Sequence, residues 1–344
     1  MTHILVTGGA GYIGSHACKA LSQAGYTPVT YDNLVFGHEW AVNWGPLECG
    51  DVRDRSRLDQ VFRRYRPDAV LHFAGFAYVG ESVTDPGKYY SNNVIGGLTL
   101  LETMRDHGVD KIVFSSTCSI YGVPKTVPIP EDHPREPINP YGASKLIVER
   151  MLADFEVAHG LRSVSLRYFN GAGADREAEI GESHDPETHL IPLVLDVAAG
   201  RSAEVTVFGT DYDTPDGTCI RDYVHVTDLA GAHVKALEAL REGHPSAAYN
   251  LGTGQGASVQ EVIETVRQVT GHQVPVLNGD RRAGDPPKLV SDPTKARSEL
   301  GWQPQLTKLE TIVETAWAWH QKLVSIEADR VPAVADSELV SGNV

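Results

Sequence analysis

Tyr141 and Lys145 stand four residues apart in the run YGASK, so on a helix both side chains project from one face. A phenol with an unperturbed pKa of about 10 is a poor base at neutral pH. An ammonium one turn away, helped by a second positive charge nearby, favours the phenolate and makes Tyr141 a candidate proton shuttle. Thr117, at the end of the run KIVFSST, can donate a hydrogen bond to the same substrate oxygen and hold it in register. A tyrosine four residues before a lysine is common by chance, so its weight rests on what accompanies it.

Residues 7–14 read TGGAGYIG, which puts Gly8, Gly11 and Gly14 directly after the strand-like run HILVT and at the head of a helical pattern ending near Gln23. Glycine allows a tight turn and close backbone approach, and a helix N-terminus offers unpaired N–H groups and partial positive charge to a pyrophosphate. The next strand-like run, TPVTY, leads into Asp32, at the distance where a carboxylate accepts hydrogen bonds from a ribose diol. No Arg or Lys lies from Asp32 through Trp44, so a 2′-phosphate would meet an uncompensated carboxylate. The motif therefore favours NAD over NADP, and a charged nicotinamide is the second cation that Tyr141 needs. Asp51 and Val52, after another short strand-like segment, suit contacts to an adenine edge.

These groups must be held by a frame, and the frame is legible. From residue 3 to about 170, short β-branched runs (HILVT, TPVTY, AVLHF, KIVFSS, SVSLRYF) alternate with helical patterns at 54–65, 87–107 and 141–159. That alternation predicts an α/β, Rossmann-type doubly wound parallel sheet, covered on both faces, with its ligand crevice at the carboxyl ends of the strands. After about residue 170 come loops rich in Gly, Asp, Glu and Pro, broken by helical patterns near 190–200, 227–241, 258–270 and 307–322. The expected division is a dinucleotide domain over 1–170 with return segments near 219–253, a smaller α/β substrate domain over 171–324, and an acidic, loose tail over 325–344. Both CIRDYVHV and AAYNLG are candidates to rejoin the first sheet.

Thirty basic against 45 acidic residues leave a net charge of −15, which argues against nucleic acid or an anionic membrane as partner and requires local Arg or Lys for any anionic ligand. The cysteines at 18, 49, 118 and 219 form no CxxC pair and no metal-ligand spacing, so reduced thiols and no metal are expected. Residues before the first strand form no apolar leader, and no run approaches the ~18 apolar residues of a membrane span. A cytoplasmic location is the corresponding expectation.

The runs TGGAGYIGSH, YDNL, HFAG, VGES, NNV, SSTCSIYG, NPYGASK, LRYFN, GTCIRDYVHV, YNLGTG and RRAGDPP, in that order over about residues 3–322, together resemble the UDP-galactose 4-epimerase group of the extended short-chain dehydrogenases/reductases. In that family hydrogen leaves C4 of a UDP-sugar for a tightly held NAD while the tyrosine takes the hydroxyl proton. The 4-keto sugar turns over and the hydrogen returns to its other face. The resemblance implies that Tyr141 is the acid/base, that Lys145 lowers its pKa and binds the nicotinamide ribose, and that Thr117 stands where the family has Ser or Thr. It extends the NAD contacts to Tyr12, Ile13, Asn33, Phe73, Ala74, Gly75, Asn92 and Phe169. Ala77 departs from the Lys common after HFAG, removing one cofactor-side hydrogen bond.

For the nucleotide sugar the resemblance implies Asn170, Arg221, Arg282 and Asp285 around the UDP part, Thr206, Val207 and Phe208 along the uridine, and His189 where many members have Asn. Arg281 is expected to form a salt bridge, and His184 with His189 makes no metal pair by spacing. Leu289 matches a position that is Tyr in some hexose-restricted members, and GTDYDTPDGTCIRDY also resembles the UDP-xylose/UDP-arabinose 4-epimerases, so pentose or dual specificity stays open. A 4,6-dehydratase would need an Asp-Glu pair beside the active-site Thr, whereas Thr117 is followed by Cys118 and Ser119. A net dehydrogenase would need exchangeable cofactor, and a non-catalytic dinucleotide sensor would lack the tyrosine. The resemblance also implies a homodimer through the helices near 87–107 and 141–159.

Overall fold

The computed structural model describes residues 2–282 and 285–330. The first part of the chain runs β1 (His3–Thr7), α1 (Tyr12–Gln23), β2 (Thr27–Asp32), β3 (Leu47–Cys49), α2 (Arg55–Tyr65) and β4 (Ala69–His72). Next come α3 (Val79–Thr84), α4 (Pro86–Tyr89), α5 (Gly96–Asp106), β5 (Lys111–Thr117), α6 (Pro140–His159), β6 (Arg162–Tyr168) and β7 (Asn170–Ala172). The remainder runs α7 (Leu190–Ala198), β8 (Val205–Phe208), β9 (Ile220–Arg221), β10 (Tyr223–His225), α8 (Val226–Arg241), β11 (Ala247–Leu251) and β12 (Ala257–Ser258). It ends with α9 (Val259–Thr270), β13 (Val276–Gly279), β14 (Lys288–Leu289), α10 (Thr294–Glu299) and α11 (Leu309–Arg330).

Seven parallel strands form the central sheet in the order β11-β6-β5-β4-β1-β2-β3. Strand order reverses between β1 and β4, so the loops after those two strands diverge and leave a crevice at their carboxyl ends. Both faces are covered, which is why the strands read as continuous apolar runs. Ile4 and Val6 pack with Ala17 and Leu21 of α1 and Leu229 and Leu237 of α8 on one face; Leu5 and Val70 pack with Leu58 and Phe62 of α2, Leu100 of α5 and Val148 of α6 on the other. A third core joins α7, α9 and α11 through Val194, Val262 and Ile312.

Local signals set the helix ends. Asn139 caps α6 by accepting from the Gly142 amide at 2.8 Å, Pro140 opens its first turn, and Gly160 at φ +72° closes it. The cap fixes where Tyr141 sits. Ser258 and Glu261 form a reciprocal capping box on α9.

Two sequence expectations are corrected and one is refined. The helical run read over 87–107 is present from Pro86 to Asp106 without a break, but its middle, Tyr90–Ile95, is wound as a wider π turn in which the consecutive Asn92 and Asn93 are buried. CIRDYVHV does not rejoin the central sheet; β10 pairs with β7, and β9 pairs with β12 and β14, because Asn170–Ala172 supplies a nearer strand edge. Residues 325–330 are not loose but continue α11 to Arg330, while the rest of the expected tail, 331–344, lies outside the described residues.

Candidate active site

Gly8 adopts φ +74° after β1, and a Cβ there would stand 2.5 Å from the Ala74 amide nitrogen. A Cβ on Gly14 would stand 2.1 Å from the Gly8 carbonyl oxygen, so the loop and the first turn of α1 close on each other only without side chains. Gly11 is the N-cap residue; it offers no side-chain cap, and no acidic residue enters the first turn. The amide end of α1, at Tyr12, Ile13 and Gly14, is thus left to an external anion.

Asp32 ends β2 as a largely buried carboxylate that accepts from the Ala10 amide at 3.0 Å and the Leu34 amide at 2.9 Å. Burial raises its pKa, and those amides work against the rise. Asn33 donates to Asp51 at 3.4 Å, and the Arg53 guanidinium, at 2.7 and 2.9 Å, holds the Asp51 carboxyl down near about 2. Arg53 is thereby engaged, and Val52 packs inward among the helix side chains. Past β4, the Ala74 amide donates to the Thr7 carbonyl at 3.0 Å, and the Phe73 ring lies 4.6 Å from that of His233. The loop after β1 and the loop after β4 are therefore tied together at the crevice.

The three catalytic candidates meet at the end of β5. Thr117 is buried there, its Oγ1 accepting from the Ser119 amide at 3.1 Å, and a hydrogen bond from the same hydroxyl opposes a rise in the Tyr141 pKa. Burial, with the neighbouring Tyr168 phenol, pushes Tyr141 well above its ordinary value. Lys145 is buried beside it, donates to the Ser115 carbonyl at 2.9 Å, and lies 5.0 Å over the Phe114 ring. Burial alone brings that ammonium down to about 8. A lysine held inside the protein by one carbonyl and one ring, with no carboxylate paired to it among the described residues, is suited to ligand hydroxyls and not to an internal ion pair.

Sequence reading missed the brace behind this group. Asn93 accepts from the Phe76 amide at 2.9 Å, donates to the Phe76 carbonyl at 3.0 Å and to Ser144 Oγ at 3.0 Å, and takes a hydrogen bond from Asn92 at 3.1 Å. It locks the loop carrying Phe73–Gly75 to the first turns of α6. The signal was present: two adjacent asparagines are poor helix formers in the middle of a helical pattern. His72 was also overlooked; Nδ1 sits 2.6 Å from Thr7 Oγ1, and burial, then the Lys145 charge, lowers it to about 3, so it stays neutral beside Lys145.

On the other side of the crevice, Phe169 joins Cys118, Ile120, Tyr121 and Ile129 in one apolar cluster, with Leu289 packed against it. Asn170 opens β7, its amide bonded to the Asp222 carbonyl at 3.0 Å. Arg221 pairs with the Asp285 carboxylate, and Leu289 lies across from Arg221 in the β14–β9 pairing. Thr206, Val207 and Phe208 form β8, and the Arg282 guanidinium lies 4.1 Å from the Phe208 ring. Arg281 is engaged by Asp211 at 2.6 Å. His189 stands apart from these groups: it precedes α7, and its Nδ1 faces Glu182 and Glu187 at 2.7 and 3.1 Å. Those carboxylates raise it to about 10 against the opposing effect of burial.

Comparisons with known proteins bear on this arrangement. The chain is 56% identical over 320 residues to a UDP-glucose 4-epimerase of Rhizobium meliloti, covering 93% of this chain and 97% of that protein. Among solved structures, the UDP-glucose 4-epimerase of Brucella ovis in complex with NAD superposes with a TM-score of 0.91 at 54% identity, covering 92% of this chain and 98% of that one. The UDP-glucose 4-epimerase of Stenotrophomonas maltophila with bound NAD and formylated UDP-arabinopyranose gives 0.91 at 41% identity, covering 95% and 100%. The model of the NAD dependent epimerase/dehydratase family matches residues 4–252, from β1 through the last strand of the central sheet, and the chain belongs to that family.

Proposed function

We propose that this protein is an isomerase that inverts C4 of a UDP-sugar, UDP-glucose and UDP-galactose first, with an NAD that stays bound through the cycle. The observation that carries this reading is the buried Tyr141, Lys145 and Thr117 group, set beside a glycine loop and an acidic strand end. When bound, NAD supplies a two-electron acceptor and donor for C4. Asp32 would hold the adenosine ribose diol, the first-turn amides of α1 the pyrophosphate, and Lys145 Nζ the nicotinamide ribose hydroxyls. Tyr141 Oη takes the proton of the 4-hydroxyl and later returns it, while Thr117 Oγ1 fixes that oxygen. A coenzyme regenerated within each cycle need not leave, so the crevice can stay closed to water around the ketone.

Residues 171–324, apart from α8, β11 and α10, which pack with the central sheet, make up the sugar-nucleotide side. Arg221 and Arg282 provide the local positive charge that a protein of net charge −15 must bring to a diphosphate, with Asp285 orienting Arg221. Thr206, Val207 and Phe208 run along the uridine and Asn170 adds to the polar lining, whereas His189, expected there from the resemblance, is engaged by Glu182 and Glu187 instead. Leu289 leaves sugar choice broad, because rejecting a pentose for lack of one hydroxymethyl group is worth only about 1–3 kcal/mol. Elimination chemistry is disfavoured: the residue after Thr117 is Cys118, a thiol that burial pushes up to about 12.

Ile95, Leu98 and Ile147 remain exposed where the π turn, α5 and α6 pack together, which supports a homodimer through these helices. No helix among the described residues is long and apolar enough to cross a membrane, and the cytoplasm is the proposed location. The test is incubation of the purified protein, without added cofactor, with UDP-galactose, UDP-glucose, UDP-xylose and UDP-arabinose in turn, followed by separation of products. Inversion of at least one hexose is expected; inversion of none overturns the reading.

A further inference from the structure

The segment leading into α7 carries Glu182, His184, Glu187 and His189, and one donor atom from each lies within 4.8 Å of the other three. Nδ1 of His184 is 3.2 Å from Glu182 and 3.6 Å from Glu187, and Nδ1 of His189 is 2.7 and 3.1 Å from the same carboxylates. Donors on a tetrahedral ion with bonds of about 2.0–2.1 Å stand roughly 3.3 Å apart. The four histidine-to-carboxylate separations, which use both oxygens of Glu187, bracket that spacing.

Direction adds a second, independent observation. Glu182 Oε1 and His184 Nδ1 are buried atoms that complete no hydrogen bond, although Oε1 lies 3.2 Å from His184 Nδ1 and 2.7 Å from His189 Nδ1. Oη of Tyr78, whose ring packs 6.3 Å from that of His184, is a third buried polar atom without a partner. The Glu182 side chain is only 8% exposed and needs a counter-charge. Two imidazolium protons supply it; one divalent cation held by two neutral imidazoles supplies the same charge and uses the orphaned directions as well. The histidine spacing alone gave no metal pair, because the carboxylates that complete the set are what make it one.

We propose that Glu182, His184, Glu187 and His189 form a structural site for a divalent transition metal of the zinc type. Two imidazoles and two carboxylates suit that class, whereas calcium and magnesium take oxygen donors. Four protein donors close the site, so its effect is mechanical. The Tyr12 ring packs 6.2 Å from that of His184 and its hydroxyl donates to the Gly173 carbonyl at 2.6 Å, so a metal here would tie this segment and the start of α7 to the first turn of α1.

The test uses the NAD-loaded protein, stripped with a chelator, incubated with zinc chloride and passed through gel filtration before elemental analysis. One retained zinc per chain is expected, with a higher melting temperature, and cobalt(II) in its place should give the intense visible bands of a tetrahedral site. His184→Asn and Glu182→Gln should each weaken binding by about a hundredfold or more, since even outer-shell losses reach 10–100-fold. The proposal is overturned by absence of retained zinc, by weak octahedral-type cobalt bands, or by unchanged retention in a His184→Asn protein of native circular dichroism. Should either variant misfold, the wild-type zinc and cobalt measurements decide alone.

Discussion

Replacing Lys145 by Met should stabilise the NAD-free protein while disabling it. The ammonium is buried and lowered from 10.5 to about 8 by that burial. A shift of this size, at roughly 1.4 kcal/mol per unit, puts the cost of holding the charge inside at about 3 kcal/mol near neutral pH. Methionine has similar reach and gives up the hydrogen bond to the Ser115 carbonyl, worth on the order of 1 kcal/mol. The net expectation is a gain of about 2 kcal/mol, read from urea denaturation of NAD-stripped protein at pH 7. Its pH dependence has a fixed sign. A lysine lowered in the folded state binds fewer protons there than in the unfolded chain, so the burial penalty is full below pH 8, shrinks as pH rises from 8 toward 10.5, and then vanishes. The advantage of Lys145→Met over wild type should shrink across the same window. With NAD present the order should reverse, because a lost charge-assisted contact to the ribose costs about 1.5–3 kcal/mol of binding, and turnover should drop by about 10²–10⁴-fold. A variant less stable than wild type without NAD at pH 7, or one that turns over within tenfold of it, would refute the view that this lysine is kept for the ligand at the expense of the fold.

Tyr141→Phe should retain NAD, seen by absorbance after gel filtration, yet lose about 10²–10⁴-fold in turnover; activity above a tenth of wild type removes the phenol from the proton transfer. Gly14→Ala sets a methyl 2.1 Å from the Gly8 carbonyl oxygen, a backbone atom that cannot swing away, so a melting study should register a loss of at least about 2 kcal/mol together with a fall in bound NAD. Asp32→Asn should narrow the preference for NAD over NADP by at least about tenfold in competition binding, since it removes the like charge that faces a 2′-phosphate. Arg167→Met leaves the Glu149 carboxylate, which Arg167 meets at 2.6 Å in a pair 4% and 5% exposed, with only the Ser116 hydroxyl and the Arg135 guanidinium at 3.8 Å, and should cost about 3 kcal/mol in denaturant titration, most of it recovered by adding Glu149→Leu.

What could be read from the sequence was what is encoded within a few residues. The strand runs of the sheet, the glycine loop, Asp32 at a strand end and the Tyr141–Lys145 pair each depend on a local period or on one backbone conformation, and the structure brings them to one crevice. The helix over 87–107 was legible, but its π-wound middle was not, because Asn93 reaches across to Phe76 and Ser144, contacts that no local pattern announces. CIRDYVHV reads as a buried strand under either pairing; only the position of β7 beside it decides. His184 and His189 read as no metal pair for the same reason: as a string 182–189 is a polar loop, and its weight lies in the four side chains that the fold brings together.

The catalytic group shows most clearly where sequence and structure part. Spacing places a phenol and an ammonium on one face, and that geometry holds, but spacing says nothing of the medium. Burial raises Tyr141 and lowers Lys145, so each is pushed toward its neutral form, away from the phenolate and ammonium that proton transfer calls for. Thr117 offsets part of the rise, yet the His72 ring, which meets Thr7 and is lowered by burial and then by the Lys145 charge, is neutral and adds no cation. A positive charge from outside the chain is then a condition for the base, and the crevice beside β1 and β4 is where a dinucleotide would bring it. Lys145, at about 8, keeps its charge at neutral pH, so on the proposed reading what bound NAD adds is a further positive charge to offset the burial that raises Tyr141.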